Sequence, residues 1–193
     1  MPMNAFHRRC CASPAWARHV EDDLLPWALD GVELGDNPLE IGPGLGVTTR
    51  LLVRLAPRLT ALEVDDEFAA GLRREFADRS SSVDIVTGDG AAMPFPAGEF
   101  SAAVCFTMLH HVPSAAQQDR LFAEAYRVLR PGGVFAGSDS QPSLRFRLVH
   151  LFDTMVVLDP DTLPQRLAAA GFVDVQVDVR KSVRFRAVKA RGG

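Results

Sequence analysis

Apolar positions along the chain alternate between two spacings. Short, nearly uninterrupted apolar runs fall at 39–41, 59–64, 83–86, 102–106 and 134–138. Runs of this length predict strands, and the wholly apolar 102–106 predicts one buried on both faces. Between them the apolar positions recur at three- and four-residue steps. Phe68, Leu72 and Phe76 predict a helix over 66–76, and Leu121, Phe122, Ala125, Val128 and Leu129 predict another that Ser114 caps. Leu51, Leu52 and Leu55 after Thr48 and Thr49 predict a helix directly behind the first run. Ser13 followed by Pro14 marks a helix start, ahead of Trp16, Val20, Leu24 and Trp27. Pro131-Gly132-Gly133 is expected to end the Ser114 helix before strand five.

The last part of the chain has a different rhythm. A helix over 163–170 stops at Gly171. Two β-patterned runs follow, 172–179 and 183–188, joined by Arg180-Lys181-Ser182. That is a terminal hairpin, so one strand must run antiparallel. Strands alternating with helices and no internal repeat predict an α/β, doubly wound, mostly parallel sheet. One domain over 1–193 is expected, with a helical cover over 1–36.

The first strand runs into Glu40-Ile41-Gly42-Pro43-Gly44-Leu45-Gly46. A strand, a glycine turn and a helix start make a nucleotide cradle, because glycine lets a ligand approach the backbone closely. A dinucleotide fingerprint would need glycine or alanine at Val47. The spacing here, E-x-G-x-G-x-G, resembles motif I of the class I S-adenosylmethionine (SAM) dependent methyltransferases. Three later segments extend the likeness. Ala61-Leu62-Glu63-Val64-Asp65 is similar to the family's acidic ribose position, and Gly88-Asp89-Gly90-Ala91-Ala92-Met93-Pro94-Phe95 to its adenine-binding motif. Strand four with Phe106-Thr107-Met108-Leu109-His110-His111-Val112 matches the family's continuation, and Leu129-Arg130-Pro131-Gly132-Gly133 its late structural motif.

The resemblance implies a Rossmann-like seven-stranded sheet with an antiparallel C-terminal hairpin strand. It implies SAM as cofactor and S-adenosylhomocysteine as product. Gly42, Gly44 and Gly46 would pack against the methionine part, and Glu40 would help hold its ammonium group. Glu63 would accept from the ribose hydroxyls, with Val64 and Asp65 beside it, although Asp65 reads equally as a helix cap. Asp89 would accept from the adenine amine, backbone N–H groups at Gly90 or Ala91 would meet the ring, and Met93 would pack on the base. Phe106 or Thr107 would face the sulfonium region. His110 or His111 is a candidate base, since imidazole titrates near neutral pH.

Composition narrows the field. With 193 residues, 47% hydrophobic and a net charge of -3, the chain suits a globular protein and argues against broad nucleic-acid binding. The local basic run of Arg180, Lys181, Arg184, Arg186, Lys189 and Arg191 reads as one solvated strand face. Cys10, Cys11 and Cys105 form neither a disulfide framework nor a zinc pattern. No signal peptide or membrane-spanning run is evident, and a cytoplasmic setting is expected. Asp139 alone at the end of strand five gives no indication of a metal site. Nucleobase amino-methyltransferases carry an Asn/Asp-Pro-Pro-Tyr type motif where this chain has Phe106-Thr107-Met108-Leu109. A small-molecule acceptor, methylated at oxygen or carbon, is the expectation, with a homodimer as a possible assembly. Its pocket would be capped by a helix within 140–160 and closed by Phe6 and Trp16. The alternatives are a SAM-binding module without catalysis and an NAD(P)-dependent oxidoreductase.

Overall fold

A computed structural model of the protein describes residues 4–79, 82–141 and 155–192. Seven strands form one sheet in the order β3-β2-β1-β4-β5-β7-β6. They are β1 (Pro38–Ile41), β2 (Leu59–Glu63), β3 (Val83–Thr87), β4 (Phe100–Phe106), β5 (Leu129–Ser140), β6 (Val173–Val179) and β7 (Ser182–Val188). The first five run parallel, and β7 runs antiparallel to both β5 and β6. The expected hairpin and its single reversed strand are both present. Chain order reverses direction between β1 and β4, and in such sheets the crevice past the carboxyl ends at that point is where ligands bind.

The wholly apolar stretch 102–106 of β4 still alternates. Ala103 and Cys105 join Leu39, Ile41, Phe122 and Phe135 on one side of the sheet, under α6 (Ala115–Val128) and α7 (Leu163–Ala169). Ala102, Val104 and Phe106 join Leu24, Leu25, Leu52 and Ala136 on the other. Two buried faces explain why this strand carries no polar residue between Ala102 and Phe106. α5 (Asp66–Glu75) lays Ala69 and Leu72 against Ala61, Val83 and Ile85, as its spacing predicted.

Three expectations about elements need correction. The helix behind the glycine turn, α4 (Thr49–Leu52), is a single turn, and Leu55 is 57% exposed rather than part of an apolar face. Positive φ at Gly42, Gly44 and Gly46 keeps the chain in turns up to Thr48. The helix then tightens into i→i+3 bonds, Arg54 N–H to Leu51 O and Leu55 N–H to Leu52 O, and ends. Pro131-Gly132-Gly133 does not stop a helix. α6 has already ended at Val128, and Leu129 pairs with Phe100 while Val134 pairs with Ala102. Residues 130–133 therefore form a bulge inside β5, with Gly132 at φ +83. The basic C-terminal run is not simply a solvated face either. Arg184 donates to Trp27 O at 2.6 Å and pairs with Asp178, Arg180 and Arg184 both lie over the Trp27 ring, and Lys189 donates to Tyr126 O and Leu129 O.

The N-terminal cover is made of α1 (Ala5–Cys11), α2 (Pro14–His19) and α3 (Leu25–Ala28), with a π-helical turn over Val20–Leu24. Asn4 and Ser13 cap the first two through their side chains. Pro26 accounts for the wide turn. Its ring is incompatible with the carbonyl four residues back, and Leu25 N–H reaches Val20 O instead. Most of the expected cap at 140–160 falls on 142–154, outside the described residues.

Candidate active site

A cavity of about 990 Å³ lies over the carboxyl ends of the strands, with α1, α2 and the π turn as its far wall. Its floor begins at the glycine turn. A Cβ at Gly42 would lie 2.9 Å from Met108 Cε, and one at Gly46 2.5 Å from Leu72 Cδ2, so a side chain at either would have to displace its neighbour, at a positive φ that already disfavours one. Glu63, buried at the end of β2, braces this turn. Its Oε2 accepts from Gly44 N–H at 2.8 Å and its Oε1 from Asp65 N–H at 2.9 Å.

Glu40 does not reach the cavity wall; it lies beneath the turn, 1% exposed. The Thr48 hydroxyl donates to its Oε1, and its Oε2 has no well-formed hydrogen bond. Burial pushes its carboxyl from 4.5 up to about 7; the Thr48 and Thr49 hydroxyls offset part of this, and the nearby Glu63 adds to it. A buried carboxylate oxygen without a partner, directly under a glycine cradle, fits a ligand that brings a cationic group.

The next two predicted positions turn out to be engaged with their own backbone. Asp65 caps α5, its Oδ1 accepting from Glu67 and Phe68 N–H at 2.9 and 3.1 Å. Asp89 Oδ1 accepts from Ala91 N–H at 2.8 Å, shaping the turn after β3. Both residues, with Val64, Gly90 and Ala91, line the cavity. Met93 does not. It is 5% exposed within the core, and its N–H donates to Glu124, so the expected packing on a base is not available to it.

The other end of the cavity is built from β4 and β5. Phe106 ends β4 in the wall, and Thr107 takes φ +51 with its N–H donating to Ser138 O. This turns the chain into a short 3₁₀ segment, Leu109–His111. It delivers His110, 2% exposed, to Asp139, 0% exposed, at the end of β5. The His110 Nδ1 lies 2.5 Å from Asp139 Oδ1, and the His110 N–H donates to Oδ2 at 3.1 Å. Burial pushes the Asp139 carboxyl up, but the His110 charge and hydrogen bonds from His110 and Ser140 outweigh it and hold the carboxyl below its ordinary value. An ionised Asp139 keeps a proton on His110 Nδ1 and leaves Nε2 as the ring nitrogen outside the pair. His111 stacks between His110, at 4.1 Å between centroids, and His7 of α1, at 5.1 Å.

At the level of sequence Asp139 has no role beside His110 and is considered only as a metal ligand. The signal was available, because a histidine just past one strand and an acid at the end of its parallel neighbour must meet. Among the described residues no group of three or more His, Cys, Asp or Glu is placed to hold a metal ion. His7 and Lys181 also line the cavity and were not predicted. Trp16 closes the wall as expected, while the Phe6 side chain lies outside the description. No described helix is long and apolar enough to cross a membrane.

Comparison with known proteins agrees with this geometry. A family described as "Methyltransferase domain" matches residues 39–137. A "Probable ribosomal RNA small subunit methyltransferase A" of Halobacterium salinarum is 43% identical over 84 residues, 42% of this chain and 29% of that protein. The ubiquinone/menaquinone biosynthesis C-methyltransferase UbiE of Methylobacterium nodulans is 35% identical over 101 residues, 50% of this chain and 39% of that protein. Among solved structures, a SAM dependent methyltransferase from Aquifex aeolicus superposes with a TM-score of 0.73 at 16% identity, over 94% of this chain and 96% of that one. The matches to curated relatives span only 28% to 43% of those proteins' lengths.

Proposed function

The chain belongs to the methyltransferase domain family and uses S-adenosylmethionine, and we propose that it moves the methyl group to a small-molecule acceptor at oxygen or carbon. When bound, the cofactor supplies a methyl group on a positively charged sulfur. The observation that carries the acceptor side of this reading is the buried His110–Asp139 pair at the cavity wall. His110 Nε2 takes the acceptor's proton, and Asp139 holds the ring in the right tautomer and stabilises the imidazolium that forms. His111 packs against the ring rather than acting as a second base.

On the cofactor side, Gly42, Gly44 and Gly46 form the cradle, and the ionised Glu40 beneath it attracts the ammonium group from below the turn. Each oxygen of Glu63 already accepts one backbone N–H and has capacity for a ribose hydroxyl besides. Asp65 and Asp89 each keep one oxygen outside their backbone bonds, and Val64, Gly90, Ala91 and Phe106 complete the surface around the nucleoside.

The relatives described as rRNA methyltransferases support a competing acceptor, RNA. Two features favour the small molecule. The net charge is -3, and Arg180, Arg184 and Lys189 of the basic C-terminal run are engaged with Trp27, Asp178 and backbone carbonyls instead of forming a phosphate track.

Calorimetric titration with SAM, S-adenosylhomocysteine and NADH, followed by label transfer from methyl-labelled SAM, tests the reading. The two sulfur nucleotides should bind and NADH should not. Label should enter phenols, quinols or carboxylates and not small-subunit rRNA. In His110→Gln the rate should fall by about 10²–10⁴-fold with S-adenosylhomocysteine affinity unchanged. Label in rRNA, or a rate indifferent to His110, overturns it. Binding without transfer to any class of acceptor would leave a SAM-binding module.

A further inference from the structure

The cavity follows the top of the sheet from Asp89 after β3 to Lys181 in the β6–β7 turn. Four inter-strand steps separate β2 from β7, a span of roughly 19 Å. The carboxylates of its lining gather at one end of that span, and Lys181 lies at the other. The carboxylates of the lining, Glu63, Asp65 and Asp89, lie past β2 and β3, and each is engaged with backbone N–H groups. The Lys and Arg side chains of the lining are Arg9 and Lys181, and neither makes a hydrogen bond or ion pair with a described residue.

The backbone at Lys181 is held in place by its surroundings. Arg180 N–H donates to Ser182 O at 2.9 Å and closes the turn. Gln141 Nε2 donates to Arg180 O at 2.7 Å and ties the turn to the end of β5. Arg180 itself lies over Trp27. The exposed Lys181 side chain, unpaired with any described residue, therefore springs from a tethered turn at the start of β7, next to Ser140 and Gln141 and one strand beyond Asp139. A cation in a cavity wall concentrates anions there.

Building on the reading of His110 as the base, we propose that the methyl acceptor carries an anionic group, a carboxylate or a phosphate, that rests against Lys181 while the atom to be methylated lies at His110. Lys181 is then a specificity residue, remote from the cofactor's half of the cavity.

Amide NMR of the ¹⁵N-labelled protein loaded with S-adenosylhomocysteine provides the test, with benzoate, phenyl phosphate and benzamide as probes. The signals of Ser140, Gln141 and Lys181 should saturate with at least one anion roughly tenfold tighter than with benzamide, the loss expected for a charge-assisted contact. Whichever anion binds more tightly names the group. Lys181→Glu should abolish the preference and Lys181→Arg should keep it. Equal response to benzamide, no response to either anion, or a preference that survives Lys181→Glu overturns the proposal. Failure to bind S-adenosylhomocysteine at all would sink the methyltransferase reading and this inference with it, whereas tight nucleotide binding without anion preference would sink this inference alone.

Discussion

Two carboxylates sit at the carboxyl ends of strands on either side of the switch point, equally buried and oppositely treated. Glu40 of β1 is 1% exposed and Asp139 of β5 is 0% exposed. Asp139 is satisfied within the protein. Its Oδ1 accepts from His110 Nδ1 and Ser140 N–H, and its Oδ2 from His110 N–H. Glu40 has a threonine hydroxyl on one oxygen, nothing well formed on the other, and a second carboxylate nearby. Burial costs both; internal partners repay it only at Asp139, which stays ionised while Glu40 is pushed up to about 7. The difference separates a completed pair from one left open, and the proposed ammonium contact would supply the charge that Glu40 lacks.

Converting each acid to its amide is the sharpest way to break this comparison. Asp139→Asn should be the most damaging change. Its new NH₂ must face either the His110 N–H or the His110 ring N–H, donor against donor, in a site without water access. Unfolding free energy from denaturant titration should fall by about 3 kcal/mol or more. A loss under 1 kcal/mol would mean that the pair contributes little to the fold. The pH dependence has a definite sign. The Asp139 carboxyl is lowered, so its contribution is present above the ordinary 3.8 and is lost as pH falls through the folded-state value.

Glu40→Gln should do the reverse. With its carboxyl raised, Glu40 favours the folded state fully below 4.5 and progressively less as pH rises toward about 7. At pH 8 the ionised form costs on the order of 3 kcal/mol, so the glutamine variant should be more stable there and equal to wild type near pH 4. The same variant should lose S-adenosylmethionine affinity, and wild-type affinity should rise from pH 6 to pH 8 as Glu40 ionises to meet the ammonium group. A glutamine variant that is destabilised at pH 8, or that binds the nucleotide as tightly as wild type, removes the proposed ammonium contact.

The two halves of the site were unequally legible in the sequence. The cofactor half rests on contiguous segments, where a strand, its glycine turn and the next acid are read in one pass, and the mostly parallel sheet follows from strand–helix alternation. The acceptor half rests on pairings between residues far apart in the chain. His110 meets Asp139 because β4 and β5 are parallel neighbours, and Lys181 reaches the cavity because β7 pairs with β5 up to Ser140 and Ser182. The stub helix after Gly46 and the bulge at 130–133 were misread for a related reason. Glycine and proline mark a departure from regular structure, but whether the chain stops, bulges or turns there depends on the neighbouring strand.

Asp65 gives the smallest expected effect and the finest division, because cap and ribose contact are both open to one carboxylate. The cap uses only Oδ1, and asparagine caps as well as aspartate does. Asp65→Asn should therefore leave stability within a few tenths of a kcal/mol, whereas Asp65→Ala should lose about 1 kcal/mol. Nucleotide affinity then isolates the second role. If Asp65 shares the ribose with Glu63, the asparagine variant should bind S-adenosylhomocysteine a few-fold more weakly although its helix is intact, since a charge-assisted acceptor has become a neutral one. If affinity is unchanged in asparagine and alanine alike, Asp65 serves α5 alone and the ribose depends on Glu63. Glu63 would then have a double task, because the oxygens that accept the hydroxyls are the ones that hold Gly44 and Asp65 in place.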